Sequence, residues 1–153
     1  MKFSTRVQYG LKATLILASR YGEGSLSASQ IAKREEIPVL CLEQILNYLK
    51  RKGFLKSVRG PKGGYILAKK PAETSLEKLF HTLIDKSIFP QGSELQGPSQ
   101  KVDEVSIANW IVWKKLKNSF DEALSGVTLK DLIDEGRRIQ KSKPDSGHYS
   151  FHI

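Results

Sequence analysis

Residues 39–68 read VLCLEQILNYLKRKGFLKSVRGPKGGYILA, and the fold follows from this stretch. Its first part carries apolar residues at the i, i+3, i+4 and i+7 spacing that is typical of one buried helix face. These residues are Leu42, Ile45, Leu46 and Leu49. Its second part has two short β-prone runs on either side of a glycine-rich turn, which predicts a β-hairpin. The stretch therefore predicts a helix over about 39–52, capped by Gly53, that leads directly into a hairpin.

Two further helices are predicted upstream of this stretch. A Thr-x-x-Gln capping box begins at Thr5, and the helical pattern after it ends at Gly22. A Ser-x-x-Gln capping box begins at Ser27, and Pro38 breaks the short helix that follows it. Three helices followed by a hairpin form a winged helix-turn-helix, in which the third helix can enter the major groove of DNA.

The rest of the chain is predicted to be helical around one loop. A fourth helix follows Ser75, and residues 90–103, which are rich in Gly, Pro, Ser and Gln, are predicted to form a flexible loop. The longest helical pattern covers about 103–124 and has a broad apolar face with two Trp. A last helix begins at Thr128 and runs to about Ile139, and the tail 141–153 is expected to be flexible.

The predicted fold class is mainly α with a small β-hairpin: a winged helix-turn-helix plus a long dimerisation helix. The winged-helix domain would cover 1–70 and a helical dimerisation region 71–140. No apolar run approaches the roughly 20 residues of a membrane-spanning helix, so no membrane partner is expected. A single cysteine excludes an intrachain disulfide framework and is typical of a reducing compartment, so we expect a cytoplasmic protein.

Charge divides the chain at about residue 70. The 153 residues carry 25 Lys and Arg against 16 Asp and Glu, a net charge of +9. Residues 1–70 hold 14 basic and four acidic side chains, whereas residues 71–153 hold 11 basic and 12 acidic ones. A basic part joined to a near-neutral part favours a polyanion-binding module. An anionic membrane is the alternative polyanion, but it requires a basic amphipathic helix with exposed aromatic residues, which the pattern does not clearly show.

The face of the third helix opposite its apolar stripe is a candidate for base contacts. This face presents Leu40, Glu43, Gln44, Asn47 and Arg51. Glutamate can accept a hydrogen bond from the cytosine amino group, and Gln and Asn can pair with adenine edges. The alternative is an ordinary solvated helix face. The capped helix before it and the hairpin after it favour base readout.

The hairpin tip is the second candidate contact with DNA. Arg59 and Lys62 lie there among three glycines and a proline. Glycine permits a close approach of the backbone to another surface. An arginine on a slim hairpin can enter a narrow minor groove, where the negative potential is enhanced. The alternative is a mobile surface turn.

The segment VRGPKGGY, residues 58–65, resembles the wing signature of the Rrf-two (Rrf2) family of bacterial transcriptional regulators. Tyr-Gly-Leu from Tyr9 and Leu-Glu-Gln from Leu42 match as well, and the similarity covers residues 1 to about 125. The resemblance implies a homodimer on a palindromic operator of double-stranded DNA. It also implies that the helix at about 103–124 is the dimerisation element.

The resemblance also implies roles for single residues. Glu43 and Gln44 would read bases, and Arg59 would enter the minor groove. The residues expected near phosphates are Ser4, Thr5, Tyr9, Ser27 and Ser29. The long helix supports its implied role by its own pattern, because about 33 Å of broadly apolar helix needs a partner surface. The alternative is a helix that packs on its own domain.

One departure from the family concerns its cofactor. Members that bind an iron–sulfur cluster carry three cysteines between the fourth and the long helix, and residues 86–104 contain none here. Such clusters are held mainly by thiolates, so no cofactor and no metal site are expected. Nitrogen or carboxylate ligands are the alternative, but the three histidines show no ligand spacing.

The single cysteine, Cys41, lies at the start of the third helix. Helix N-termini and nearby cations activate thiols, so Cys41 is a candidate redox switch for DNA binding. The favoured alternative is a small, buried apolar residue beside Leu42.

The function predicted from these patterns is sequence-specific DNA binding by a dimeric transcriptional regulator, a repressor that occludes a promoter. The alternative is a winged-helix interaction module that docks a partner enzyme or regulator. An enzyme is not expected, because the sequence shows no nucleophile–base pairing, no Walker-type phosphate loop and no cluster of metal ligands.

Overall fold

The computed structural model describes residues 3–84, Phe89 and residues 103–142. In chain order the elements are α1 Thr5–Ser19, α2 Ala28–Glu35, α3 Val39–Arg51, β1 Leu55–Val58, β2 Gly64–Leu67, a 3₁₀ turn Pro71–Glu73, α4 Leu76–Leu83, α5 Glu104–Leu124 and α6 Leu129–Ser142. The predicted class, mainly α with a small antiparallel hairpin, is confirmed. The predicted loop 90–103 lies outside the described residues except for Asp103.

The start of α1 differs from the prediction. Ser4 is the N-cap, without a side-chain hydrogen bond, and Thr5 is already helical. The Gln8 side chain donates to the carbonyl of Phe3 at 2.8 Å and does not close a box on Thr5. The predicted capping box at Thr5 is therefore wrong, because Thr5 is the first residue of the helix and not the N-cap residue before it.

The second capping box is confirmed. The Ser27 hydroxyl accepts from the Gln30 backbone N–H at 3.1 Å, and the Gln30 side-chain oxygen accepts from the Ser27 N–H at 2.8 Å. At the other end of α2, Glu36 adopts the left-handed conformation with φ of +55°. The chain thereby turns within three residues, and α3 begins at Val39 directly after Pro38.

The core forms where α3 packs against α1 and α2. The predicted stripe is buried as expected; its members are Leu42, Ile45, Leu46 and Leu49. Leu79 and Leu83 of α4 and Leu129 of α6 belong to the same apolar cluster. Helices α1 and α4 approach closely at Gly10, where an added Cβ would lie 2.5 Å from the Leu83 side chain. The core thus continues past residue 70.

The hairpin is attached to the segment that precedes α2. Within the hairpin, Leu55 pairs with Leu67 and Val58 with Gly64. The Leu26 N–H donates to the Tyr65 carbonyl at 3.1 Å, and the Tyr65 N–H donates to the Leu26 carbonyl at 2.8 Å. This bridge fixes the position of the hairpin relative to α2 and α3.

Helix α5 contacts the rest of the chain mainly through its C-terminal part. Its residues packed against the core are Phe120 and Leu124, and the Phe120 ring lies 5.1 Å from that of Phe80 in an edge-on arrangement. The Nε2 atom of His81 on α4 lies 2.9 Å from Oδ1 of Asp121. No residue of α5 is fully buried in the single chain, and Phe120 and Leu124 are partly buried.

Helix α6 is longer than predicted. It continues through Ser142, so Lys141 and Ser142 are helical and do not belong to a flexible tail. Thr128 and Asp131 bond to each other reciprocally at the helix start, which stabilises its first turn. Residues 143–153 lie outside the described part of the chain. None of the described helices is both long and apolar enough to cross a bilayer.

Candidate nucleic-acid interface

The outer face of α3 is open to solvent. Leu40 is 72% exposed, and the polar side chains one, two and three helical turns after it are exposed as well; these are Glu43, Gln44, Asn47 and Arg51. The buried stripe on the opposite side fixes this orientation, because the stripe is anchored in the core of α1 and α2. The structure therefore brings the predicted face of α3 together on one surface.

Tyr65 connects this face to the hairpin. Its hydroxyl donates to the Asn47 side-chain oxygen at 3.3 Å. Partial burial raises the pKa of Tyr65, and the negative charge of Glu43 raises it further, so the hydroxyl stays protonated as a donor. The Asn47 amide nitrogen is left to donate to another group. Tyr65 was not a predicted site residue, although its position directly after Gly64 on β2 could have indicated that it lies near the wing.

The wing tip is braced. The Gly63 N–H donates to the Gly60 carbonyl at 2.9 Å, and the Ser25 hydroxyl donates to the Lys62 carbonyl at 2.6 Å. An added Cβ at Gly63 would lie 2.5 Å from the Val58 carbonyl oxygen, so the turn requires glycine there. This geometry presents the exposed Arg59 and Lys62 on a defined loop. No local sequence signal indicated Ser25.

The residues predicted near phosphates occupy different environments. Ser4, Thr5 and Ser29 are exposed. Tyr9 is partly buried and packs against the core. The Ser27 hydroxyl oxygen is engaged in capping α2, although its proton remains able to donate. Contact of this set with DNA stays a prediction.

The charge on this surface is largely uncompensated. The ion pairs within the first 70 residues use Lys12, Arg20 and Arg34. Among the described residues, no ion pair engages Arg51, Arg59 or Lys62. Their charges remain available to neutralise phosphates, which is the main source of affinity for DNA.

Cys41 is partly exposed beside this surface. It lines a shallow cleft of about 260 Å³ with Arg6, Gln44 and Tyr48. It also packs partly against the core. Cys41 is therefore neither fully buried nor fully exposed, and its redox activity stays a prediction.

The helix pair, the open face of α3 and the braced wing define a winged helix-turn-helix regulator that binds DNA. A model of the Rrf2 family, described as iron-dependent transcriptional regulator, matches residues 3–135. The chain belongs to the Rrf2 family.

Similar proteins agree with this assignment. The chain is 36% identical over 145 residues to a Synechocystis protein named as a helix-turn-helix transcriptional regulator, covering 94% of this chain and 95% of that one. It is 30% identical over 135 residues to CymR of Bacillus subtilis, covering 86% and 89%. The solved structure of T. potens IscR superposes with a TM-score of 0.74 at 34% identity, covering 94% of both chains. The chain is thus a DNA-binding transcriptional regulator and not an enzyme, and these matches do not favour the docking-module alternative.

The family description implies iron, and the donor set does not fit an iron–sulfur cluster of the thiolate type. The whole chain has one cysteine. Within residues 3–84 and 103–142, no three His, Cys, Asp or Glu side chains are grouped as metal ligands. His81 lies on α4 against Asp121, whereas Cys41 lies on α3. The His81 and Cys41 side chains therefore belong to different parts of the fold.

Proposed function

We propose that the chain is a cytoplasmic homodimer that binds a palindromic operator and represses transcription by occluding a promoter. The observation that carries the proposal is the mixed polar face of α3 beside a cationic wing tip whose Arg59 and Lys62 form no ion pair with any described residue. A face built only for phosphates would present mostly Lys and Arg. Glu43, Gln44 and Asn47 instead supply the acceptors and donors that distinguish base pairs in the major groove.

The wing and the N-terminal segments complete the proposed DNA contact. Arg59 enters the minor groove, and Lys62 neutralises a flanking phosphate. Ser4, Thr5 and Ser29 donate to phosphates from exposed positions, which is how the protein is oriented on the duplex.

The apolar surface of α5 supports the homodimer. Val105 is 71% exposed, Val112 52% and Leu116 50%, and their spacing of seven and four residues places the three side chains on one side of α5. Burial of apolar surface contributes about 25 cal/mol per Å², so leaving this face in water is unfavourable. A second α5 offers the same kind of surface. A two-fold dimer then presents two copies of α3 to half-sites one or more helical turns apart.

Replacing Gln44 tests base readout. An operator is first selected from random duplexes with the purified protein. Gln44→Ala is then expected to weaken binding to it by about 10- to 100-fold, because a bidentate base contact discriminates by about 1–3 kcal/mol. Preference at one base pair of each half-site is expected to relax. Fluorescence anisotropy at about 150 mM salt measures both effects, since non-specific binding is weak there.

The matched control is Gln140→Ala, which makes the same change at an exposed position on α6. It is expected to bind the operator as the unmodified protein does. Equal affinity of the unmodified protein for the operator and for random duplex would contradict sequence-specific binding.

We further propose that operator binding needs no iron–sulfur cluster. Protein purified without oxygen is expected to be colourless and to contain no stoichiometric iron or acid-labile sulfide, because the chain has one thiol. Treatment with an iron chelator should leave operator affinity unchanged. A brown preparation with about one cluster per chain, or affinity lost on chelation, would refute this proposal.

A further inference from the structure

A cleft of about 310 Å³ lies where the C-terminal end of α1, the 3₁₀ turn and one side of α6 meet. We call it the α1–α6 cleft. Its volume lies within the range of about 300–1,000 Å³ that is usual for small-molecule sites. None of the residues proposed above to contact DNA lines it. It is therefore separate from the proposed nucleic-acid surface.

The charged groups of the cleft have a positive balance. Lys70, Lys130 and Arg137 line it together with one acid, Asp134. Lys130 and Asp134 pair with each other along α6. Within the described part of the chain, Lys70 has no ion pair, and Arg137 donates to the Ser19 carbonyl at 3.0 Å. Two cations without an acidic partner thus line one small concavity, which favours an anion.

The other walls of the cleft are apolar. Tyr21 is 48% exposed and offers a ring that the core does not use. Ile133 is partly exposed on the α6 side, and Pro71 and Ala72 form the third wall. A ligand with an apolar body would remove these groups from water, and a few polar groups would orient it.

The C-terminal end of α1 would ordinarily oppose an anion, because its free carbonyls carry partial negative charge. Two of those carbonyls are already occupied here. The Tyr21 N–H donates to the Ala18 carbonyl at 3.2 Å, and Arg137 covers the Ser19 carbonyl. Arg137 keeps further N–H donors for a ligand, since a guanidinium group carries five.

We propose that the α1–α6 cleft binds a small organic carboxylate. Its two oxygens lie between Lys70 and Arg137, and its apolar body packs against Tyr21 and Ile133. A carboxylate fits because it carries one charge and two acceptors, which matches two separate cations.

The position of the cleft gives the ligand a regulatory role, and this step rests on the proposed function. Helix α1 belongs to the winged-helix core, whereas α6 follows the proposed dimerisation helix α5. A bound carboxylate bridges α1 and α6. It is expected to change operator affinity, because a ligand that binds one arrangement of these two helices more tightly than another shifts the population toward that arrangement.

The test uses 4-fluorobenzoate as the probe and ¹⁹F NMR titration of the full-length protein without DNA. Saturable binding is expected. The neutral 4-fluorobenzamide should bind at least about tenfold more weakly, because it lacks the charge. Lys70→Gln should cause a similar loss. Ala72→Leu should also weaken binding without a change in charge, because the larger side chain fills one wall of the cleft.

Lys141→Gln is the matched control, because it removes one charge from an exposed position on α6 outside the cleft. It should bind the probe normally, and unchanged melting temperatures should show that all variants fold. No saturable binding, equal binding of the amide, or equal losses in Lys70→Gln and Lys141→Gln would each overturn the site. Probe binding that leaves operator affinity unchanged would overturn the regulatory step alone. Absence of any specific operator would instead refute the proposed function.

Discussion

Leu116→Glu is expected to convert the dimer into a monomer and to lower operator affinity by at least about a hundredfold. Leu116 is half exposed on the described single chain, so the proposed partner, not the protomer's own core, would bury it. A carboxylate buried there without a partner is strongly unfavourable. Loss of the dimer removes one α3 from the operator. Sedimentation velocity measures the mass, and anisotropy measures DNA affinity.

Asn118→Glu provides the control for Leu116→Glu. It adds the same charge at an exposed position of α5 two residues away, where the helix turns its side chains to another face. It should remain dimeric and bind the operator normally. A Leu116→Glu protein that sediments as a dimer and keeps its operator affinity would show that this face of α5 is not the interface.

Gly64→Ala is expected to destabilise the fold by about 2–3 kcal/mol and to impair DNA binding. An added Cβ at this position would lie 2.2 Å from the Leu26 carbonyl oxygen. The two hydrogen bonds between Leu26 and Tyr65 would have to break or shift. The wing would then lose its attachment, together with the defined position of Arg59. Urea unfolding followed by circular dichroism, and anisotropy with the operator, measure the two effects.

Gly22→Ala is the control for Gly64→Ala, because it tests the loss of the glycine backbone conformation without a steric clash. Gly22 has φ of +88°, but no atom lies within 4 Å of its added Cβ. Its replacement should cost about 1 kcal/mol through the backbone alone and leave DNA affinity unchanged. Equal destabilisation by the two substitutions would mean that the Leu26–Tyr65 bridge does not hold the wing.

Short-range patterns were sufficient for most of the elements. The stripe from Leu42 to Leu49 and the capping box at Ser27 each involve residues within two helical turns, so the interactions they predict are local. The start of α1 was mispredicted, because a four-residue pattern does not by itself determine the residue at which a helix begins. A capping box would need Thr5 outside the helix, but α1 begins at Thr5, its N-cap Ser4 makes no side-chain hydrogen bond, and the Gln8 side chain donates to the Phe3 carbonyl instead.

The candidate site was only partly predictable. Periodicity alone identified the outer face of α3, because a buried stripe implies an exposed opposite face. The supports of the wing were not predictable in this way. Ser25 reaches Lys62 across 37 positions of sequence, and Leu26 pairs with Tyr65 at the edge of the hairpin. Such contacts depend on how separate elements pack.

The sequence was enough to predict a winged helix-turn-helix with its basic charge in residues 1–70, because helical periodicity, turn residues and charge are properties of short segments. The packing of distant segments established the rest. It exposed the apolar face of α5, attached the wing to Leu26 and brought Lys70 and Arg137 to the walls of one cleft. These features arise only when residues far apart in the chain share one core, so no local pattern encodes them.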